Sequence, residues 1–359
     1  MKIRDRYIAK TLLTYTLIVL LVWLSIYSFF SFLAELNTVG DANYTILEAF
    51  KYVLLQMPGV AYDQASPVIL LGCVLGMGHL ATTGQLLIFR VAGVSILKIT
   101  WLTVKSALIF IIFIILIGEI IAPILTNYAE NAKSNVLNKN SLSSNQQGFW
   151  IRDGGNFINV KNNNGDLFSG ITIIEVNPSN KVERVTRSDN ALFDGSLLKM
   201  KNSEIFSIND LGLFENISLK ERNFHNKTVS FDQDLIDSLE KEPEDLTTWM
   251  IIKQIQFLSD NKLRSGVFKV ELYNRLVKPL TLIAMILMAM LFIFGSTRDT
   301  TLGRKIFFGV ALGLTFELIS RIGGAVSLSF DLNPLFSLIL PAILVMFVSM
   351  ILLIHKSRS

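Results

Sequence analysis

Four stretches of the chain hold no Asp, Glu, Lys or Arg: residues 11–34, 64–89, 279–297 and 332–354, which are 24, 26, 19 and 23 residues long. A helix rises 1.5 Å per residue, so about 20 apolar residues cross a hydrocarbon core ~30 Å thick. Each stretch is therefore long enough to be a membrane span. Two further stretches are apolar but interrupted. Residues 101–125 carry Lys105 near one end and Glu119 near the other, with 106–118 uncharged between them, as in a span whose ionic ends snorkel to the interfaces. Residues 306–330 carry Glu317 and Arg321 four apart, so that the two can face each other or a polar cavity. The pattern predicts six spans.

Between the third and fourth spans the period changes. Short apolar runs at 149–151, 157–160, 171–176, 197–200 and 204–208 are separated by turn sequences: Asp153-Gly154-Gly155, Asn163-Asn164-Gly165, Asn177-Pro178-Ser179-Asn180 and Asp194-Gly195. Strands at such spacing predict a sandwich or jelly roll. Residues 232–262 gather acidic side chains around Leu235, Leu239, Leu246, Trp249 and Ile252 and read as a more helical return connection. The expected fold is an α-helical membrane protein of six transmembrane helices with an inserted all-β domain. Its parts are 1–126 (spans one to three), 127–262 (the β domain) and 263–359 (spans four to six).

Composition agrees: 51% of residues are hydrophobic and 17% charged, against roughly a quarter charged in a soluble domain. The net charge of +4 would suggest nucleic acid until the charges are placed. Residues 127–262 hold 15 basic and 19 acidic residues, leaving 18 basic and 10 acidic in the spans and their loops. The basic excess is thus a topology signal. Lys2, Arg4, Arg6, Lys10, Arg90, Lys98, Lys105, Arg298, Arg304, Lys305, Lys356 and Arg358 fall on the side of both termini, opposed there by Asp5 and Asp299 alone. That side is expected to be the cytoplasm. The opposite short loops carry Glu35, Asp41, Glu48, Asp63 and Asp331, and the β domain is exported with them. Cys73, the single cysteine, lies in the second span and excludes a disulfide within the chain. The apolar run from Thr11 is too long for the core of a cleavable signal.

No reactive constellation accompanies this architecture. There is no Gly-x-x-x-x-Gly-Lys-Ser/Thr loop and no Ser-centred nucleophile elbow. His79, His225 and His355 are far apart and near no cysteine cluster, which argues against a metal site. Gly72-x-x-x-Gly76 and Gly309-x-x-x-Gly313 permit close helix approach, either within the chain or against another subunit. Residues 85–95 form a short amphipathic stretch with Gly84 and Gly93 near its ends and Arg90 its only charge. This is the shape of a coupling helix that docks in a groove of a cytosolic partner, or of an ordinary interfacial loop. Lys269, Glu271, Arg275 and Lys278 lead into the fourth span, and 271, 275 and 278 share a helix face. Such a face can hold lipid phosphates, or simply anchor the helix through a Glu271–Arg275 pair. Glu119 and Glu317 invite a proton-relay reading, with paired or solvated carboxylates the plainer one.

Several segments in order resemble the LptF/LptG permease family of the lipopolysaccharide export ABC transporter. They are Asp5-Arg6-Tyr7-Ile8, Leu75-Gly76-Met77-Gly78, residues 85–95, Gly118-Glu119 with Ala122-Pro123, and Gln146-Gln147-Gly148-Phe149-Trp150 followed by Asp153-Gly154-Gly155-Asn156-Phe157. Lys278-Pro279-Leu280 and Phe292-Ile293-Phe294-Gly295 complete the set, and the likeness is closer to the LptG branch. The resemblance implies an inner-membrane permease with a periplasmic jelly roll between spans three and four. Its partners would be an LptF-type permease, an LptB-type ATPase dimer that supplies ATP and Mg chemistry, and an LptC-type jelly-roll protein. Lipopolysaccharide would be the cargo, and this chain would bind no cofactor of its own. An LptF-type role, or a membrane enzyme modifying envelope lipids, is the alternative. By position the resemblance assigns ATPase coupling to Gln85, Leu86, Phe89, Arg90, Gly93 and Ser95. Gln85 stands where the family commonly has Glu, which replaces an ion pair by a hydrogen bond. Ser31, Asn37 and Thr38 stand where relatives often place lysines for lipid phosphates. The expected replacement cations are Lys133, Arg275, Lys278 and Arg321.

Overall fold

A computed structural model of the chain describes residues 3–137, 148–164, 166–179, 181–210, 215–239, 241–295, 302–330 and 332–358. Lys2, Gln146, Gln147, Gly165, Asn180, Arg298, Asp299 and Asp331 lie outside the described residues. Two compact units emerge, Met1–Leu137 with Lys269–Ser359, and Asn138–Phe268.

The first unit opens with α1 (Ile3–Glu35), α2 (Ile46–Asp63), α3 (Ala65–Thr82), α4 (Gln85–Val91) and α5 (Ile96–Leu116), followed by a π-helical turn (Ile117–Ile121) and α6 (Ala122–Leu137). The connection between the first two spans is no short loop, as the charges there suggested. It contains α2, started by the Thr45 side chain, which accepts the Glu48 N–H at 3.4 Å, and kept amphipathic by buried Ala49, Val53, Val60 and Ala61. The uncharged run 64–89 is likewise two elements. It breaks at Thr83-Gly84, where Gly84 takes φ +76°, and only α3 is a span. α3 is apolar all round and buried along most of its length, which marks the helix at the centre of a bundle. α1 crosses it at Gly72, where a methyl group would stand 2.4 Å from Thr16 Oγ1, so the first Gly-x-x-x-Gly pair serves packing within the chain.

In the second unit six strands run antiparallel in chain order: β1 (Phe149–Asp153), β2 (Asn156–Asn164), β3 (Leu167–Val176), β4 (Val182–Asp194), β5 (Leu197–Asp210) and β6 (Glu215–Thr228). This sheet, inserted between helices, is consistent with a jelly-roll-like domain. Its inward positions shift by one across a common row. Phe168 is followed by Ile171 and Ile173, Thr186 and Ser188 by Ala191 and Phe193, Leu198 and Met200 by Ser203 and Ile205. Gly170 (φ +65°) and Asn202 (φ +54°) lie on that crease. The sheet also curls far enough for Lys227 of β6 to reach Glu175 of β3, which Arg184 of β4 holds from the other side at 3.1 Å. A phenylalanine stack, Phe168–Phe193–Phe231, fills the fold together with α7 (Gln233–Leu239) and Phe257 of α8 (Thr248–Asp260).

The chain returns through α9 (Gly266–Gly295), α10 (Leu302–Ser329) and α11 (Pro334–Arg358). Among the described residues six helical segments are long and apolar enough to cross a membrane: Asp5–Thr38, Ala65–Thr82, Ile96–Leu137, Gly266–Phe294, Phe307–Ser329 and Pro334–Ser357. The third helical segment therefore runs about a dozen residues past 125. Gly309 and Gly313 of α10 pack on Leu70, Leu71 and Pro67 of α3, again within the chain. α1, α10 and α11 leave long apolar faces uncovered, among them Leu21, Phe30, Ile322 and Phe347.

Candidate functional site: the short helix and the ionic joint

Two places in the helical unit combine unusual backbone with unusual chemistry. The first is α4. Gly84 before it and Gly93 after it (φ +78°) turn the chain sharply at both ends, and the Ser95 side chain caps α5 by accepting the Lys98 N–H at 3.3 Å. Leu86 is only 4% exposed and Phe89 is half-buried, both packed into the bundle core. The opposite face, Leu87, Ile88 and Val91, is bare, with Val91 82% exposed. Arg90 is exposed as well. Gln85 occupies the first turn, and its Oε1 is buried with no hydrogen-bond partner among the described residues. Of the six expected coupling residues, Leu86 and Phe89 thus anchor the helix to its own chain, and Ser95 shapes the exit. The residues that face outward, Leu87, Ile88 and Val91, were not singled out by sequence, although i, i+1, i+4 spacing opposite Leu86 would have found them.

The second place joins α2, α3, the π-helical turn and α9. Pro67 has no N–H to offer the Asp63 carbonyl four residues earlier, and the helix breaks at Gln64 between α2 and α3. Lys278 of α9 donates its Nζ to that carbonyl at 3.0 Å and lies 5.0 Å from the Tyr62 ring centroid. Pro123 stands in the same relation to Glu119. Here the helix answers by widening, and the Ala122 N–H reaches the Ile117 carbonyl five residues back. Arg275 of α9 bonds Glu271 Oε1 at 2.7 Å and comes within 3.7 Å of Glu119 Oε2, with its side chain only 6% exposed. The Tyr62 ring packs against Gly118, where a side chain would collide with it. The sequence showed Glu271–Arg275 and Lys278; it gave no sign that Asp63, Tyr62 and Glu119 meet them.

The four cations expected to contact lipid are therefore not one cluster. Lys133 on α6 is ion-paired with Glu35 and lies over the Tyr52 ring at 4.4 Å, while the Tyr44 hydroxyl donates to the same Glu35 at 2.8 Å. A cleft of about 80 Å³ beside it is lined by Tyr44, Lys51, Tyr52, Tyr128 and Lys133. Arg321, exposed on α10, pairs with Glu317 at 3.3 Å. Each expected cation is compensated by its own chain.

Residues 6–355 match the family described as lipopolysaccharide export system permease LptF/LptG. The chain belongs to this family. Similar relatives are the lipopolysaccharide export system permease protein LptG of Escherichia coli strain K12, 27% identical over 354 residues and 98% of each chain, and that of Haemophilus influenzae, 24% identical over 343 residues and 95% of each. The LptF/LptG match covers both units, so the inserted sheet belongs to the permease. Six apolar helices and an LptF/LptG family place mark a multi-pass inner-membrane protein. The relatives are named as permeases, and among the described residues no group of three His, Cys, Asp or Glu side chains is placed to hold a metal ion.

Proposed function

We propose that this chain is the LptG-type permease of an ABC transporter that extracts lipopolysaccharide from the inner membrane and passes it to a periplasmic bridge toward the outer membrane. Its partners are an LptF-type permease, an LptB-type ATPase dimer that binds ATP and Mg, and an LptC-type jelly-roll protein. Both termini and α4 face the cytoplasm, and the sheet faces the periplasm. The observation that carries the reading is α4: a seven-residue helix, fixed to the bundle by Leu86 and Phe89, presents Leu87, Ile88 and Val91 to a partner. Extraction needs such a partner, because each CH₂ drawn from the bilayer costs about 0.8 kcal/mol. Nucleotide-driven closure of the ATPase pushes on α4, and spans one and five narrow the cavity between the two permeases. Lys133 and Arg321 contact lipid phosphates, exchanging Glu35 and Glu317 for the ligand. Arg275 and Lys278 are held by the fold.

Affinity purification of the tagged chain in mild detergent tests the reading. A second six-span permease, an ATPase dimer and lipopolysaccharide should co-purify, and hydrolysis should vanish when residues 85–95 are deleted. A chain recovered alone, at native expression and without glycolipid, would contradict it. The LptG names of the relatives favour this role over the LptF-type one, and reconstitution with each permease type separates the two.

A further inference from the structure

We propose that Arg275 and Lys278 are positioning residues of the transport cycle, which pin two proline-made helix discontinuities to α9 so that α2 and α6 pivot as one arm on the bundle. This rests on the transporter reading and adds to it where the chain bends.

The two discontinuities face each other. Pro67 breaks α2 from α3 at Gln64, and Pro123 accompanies the π-helical turn that separates α5 from α6. Kinks of this kind are where a helix can change direction without losing its remaining hydrogen bonds. They meet where the Tyr62 ring occupies the space that a side chain at residue 118 would fill, so the two packed segments are expected to move together. Beyond the kinks α2 and α6 are tied again, because the Tyr52 hydroxyl donates to Glu130 at 3.0 Å and Lys133 lies over the Tyr52 ring. The arm is thus cross-linked along its length and hinged at its base. α9 supplies the pins. Lys278 serves the carbonyl that Pro67 leaves without its helical donor, and Arg275 serves the carboxylate inside the π-helical turn. α9 carries a proline of its own, Pro279, directly after Lys278. Both cations are more than 90% buried, so in this conformation they hold the joint rather than face a ligand.

Spin labels on the assembled complex in nanodiscs test the pivot. Exposed Leu47 on α2 and Asn131 on α6 report the arm, and exposed Ile109 on α5 reports the bundle. Between nucleotide-free and vanadate-trapped states, the Leu47–Asn131 distance should stay constant. Both arm-to-Ile109 distances should shift together by several Å, the scale of a hinge motion. Lys278→Met and Glu119→Gln should broaden the Leu47–Asn131 distribution and lower lipid release per ATP at least about tenfold while hydrolysis continues. Lys278→Arg, which can still reach the Asp63 carbonyl, should restore most of it. A purely structural role would lower hydrolysis and release in parallel. A Leu47–Asn131 distance that changes as much as the arm-to-bundle distances, or arm-to-Ile109 distances that stay constant through turnover, overturns the hinge. Failure of the ATPase to assemble overturns the transporter reading instead.

Discussion

α4 and the ionic joint are built on opposite principles. At α4 the chain leaves three apolar side chains, Leu87, Ile88 and Val91, bare, an apolar surface that a partner can cover. At the joint, in a far less forgiving environment, Arg275 and Lys278 have partners within the chain. Uncovered apolar surface is what a recognition face requires, whereas a charge at membrane depth persists only when it is paired. The contrast separates residues that act on another molecule from residues that set the shape acting on it.

Removing one member of the joint should give the largest effect. Arg275→Met leaves Glu119 and Glu271 facing each other in a buried site, and should destabilise the protein by about 3–5 kcal/mol, read as a lower unfolding temperature in detergent. Val91→Asp should do the reverse. It leaves the unfolding temperature unchanged and weakens capture of the ATPase about a hundredfold, near 2–3 kcal/mol. A drop in stability with Val91→Asp would erase the distinction. Lys278→Met should cost about 1.5 kcal/mol, the lower end for a hydrogen bond made by a charged group. That cost should shrink in the Pro67→Ala background, where residue 67 regains an N–H for Asp63; additive costs in this double-mutant cycle would show that Lys278 does not cap the break. The smallest effect lies in the other unit. Partial burial, then Arg222 and Lys227, hold the His225 imidazole below its ordinary pKa of 6.5. The unfolded chain therefore binds a proton first, and stability should fall as the pH drops below 6.5, levelling off below the folded value. Hydrogen exchange of the sheet amides in the full chain should show this slope, and His225→Gln should flatten it.

The spans were legible because a bilayer imposes a length and an absence of charge that few other pressures produce, and 11–34 and 332–354 show both. α2 was less so, since Glu48 and Asp63 read as loop charges until Ala49, Val53 and Val60 are seen to line one face. In the sheet, β1, β2 and β3 announced themselves by apolar runs. β4 and β6 did not: Arg184, Arg187, Asp189 and Asn190 interrupt the one, and the other is an edge strand with Lys220, Glu221 and Arg222 exposed. The candidate site divides in the same way. The glycines around α4 are local signals and pointed to the right segment. The joint is made by residues as distant as Asp63 and Lys278, and a carbonyl whose helical donor is replaced by a proline leaves a trace only at the proline.

The most direct measurement is photocrosslinking in living cells from two positions, Ile88 on the bare face of α4 and position 275 in the joint. The account predicts that Ile88 forms an adduct with a nucleotide-hydrolysing subunit, while position 275 forms adducts only within its own chain. An Ile88 probe that captures lipid or nothing, together with lipopolysaccharide captured at 275, would contradict it.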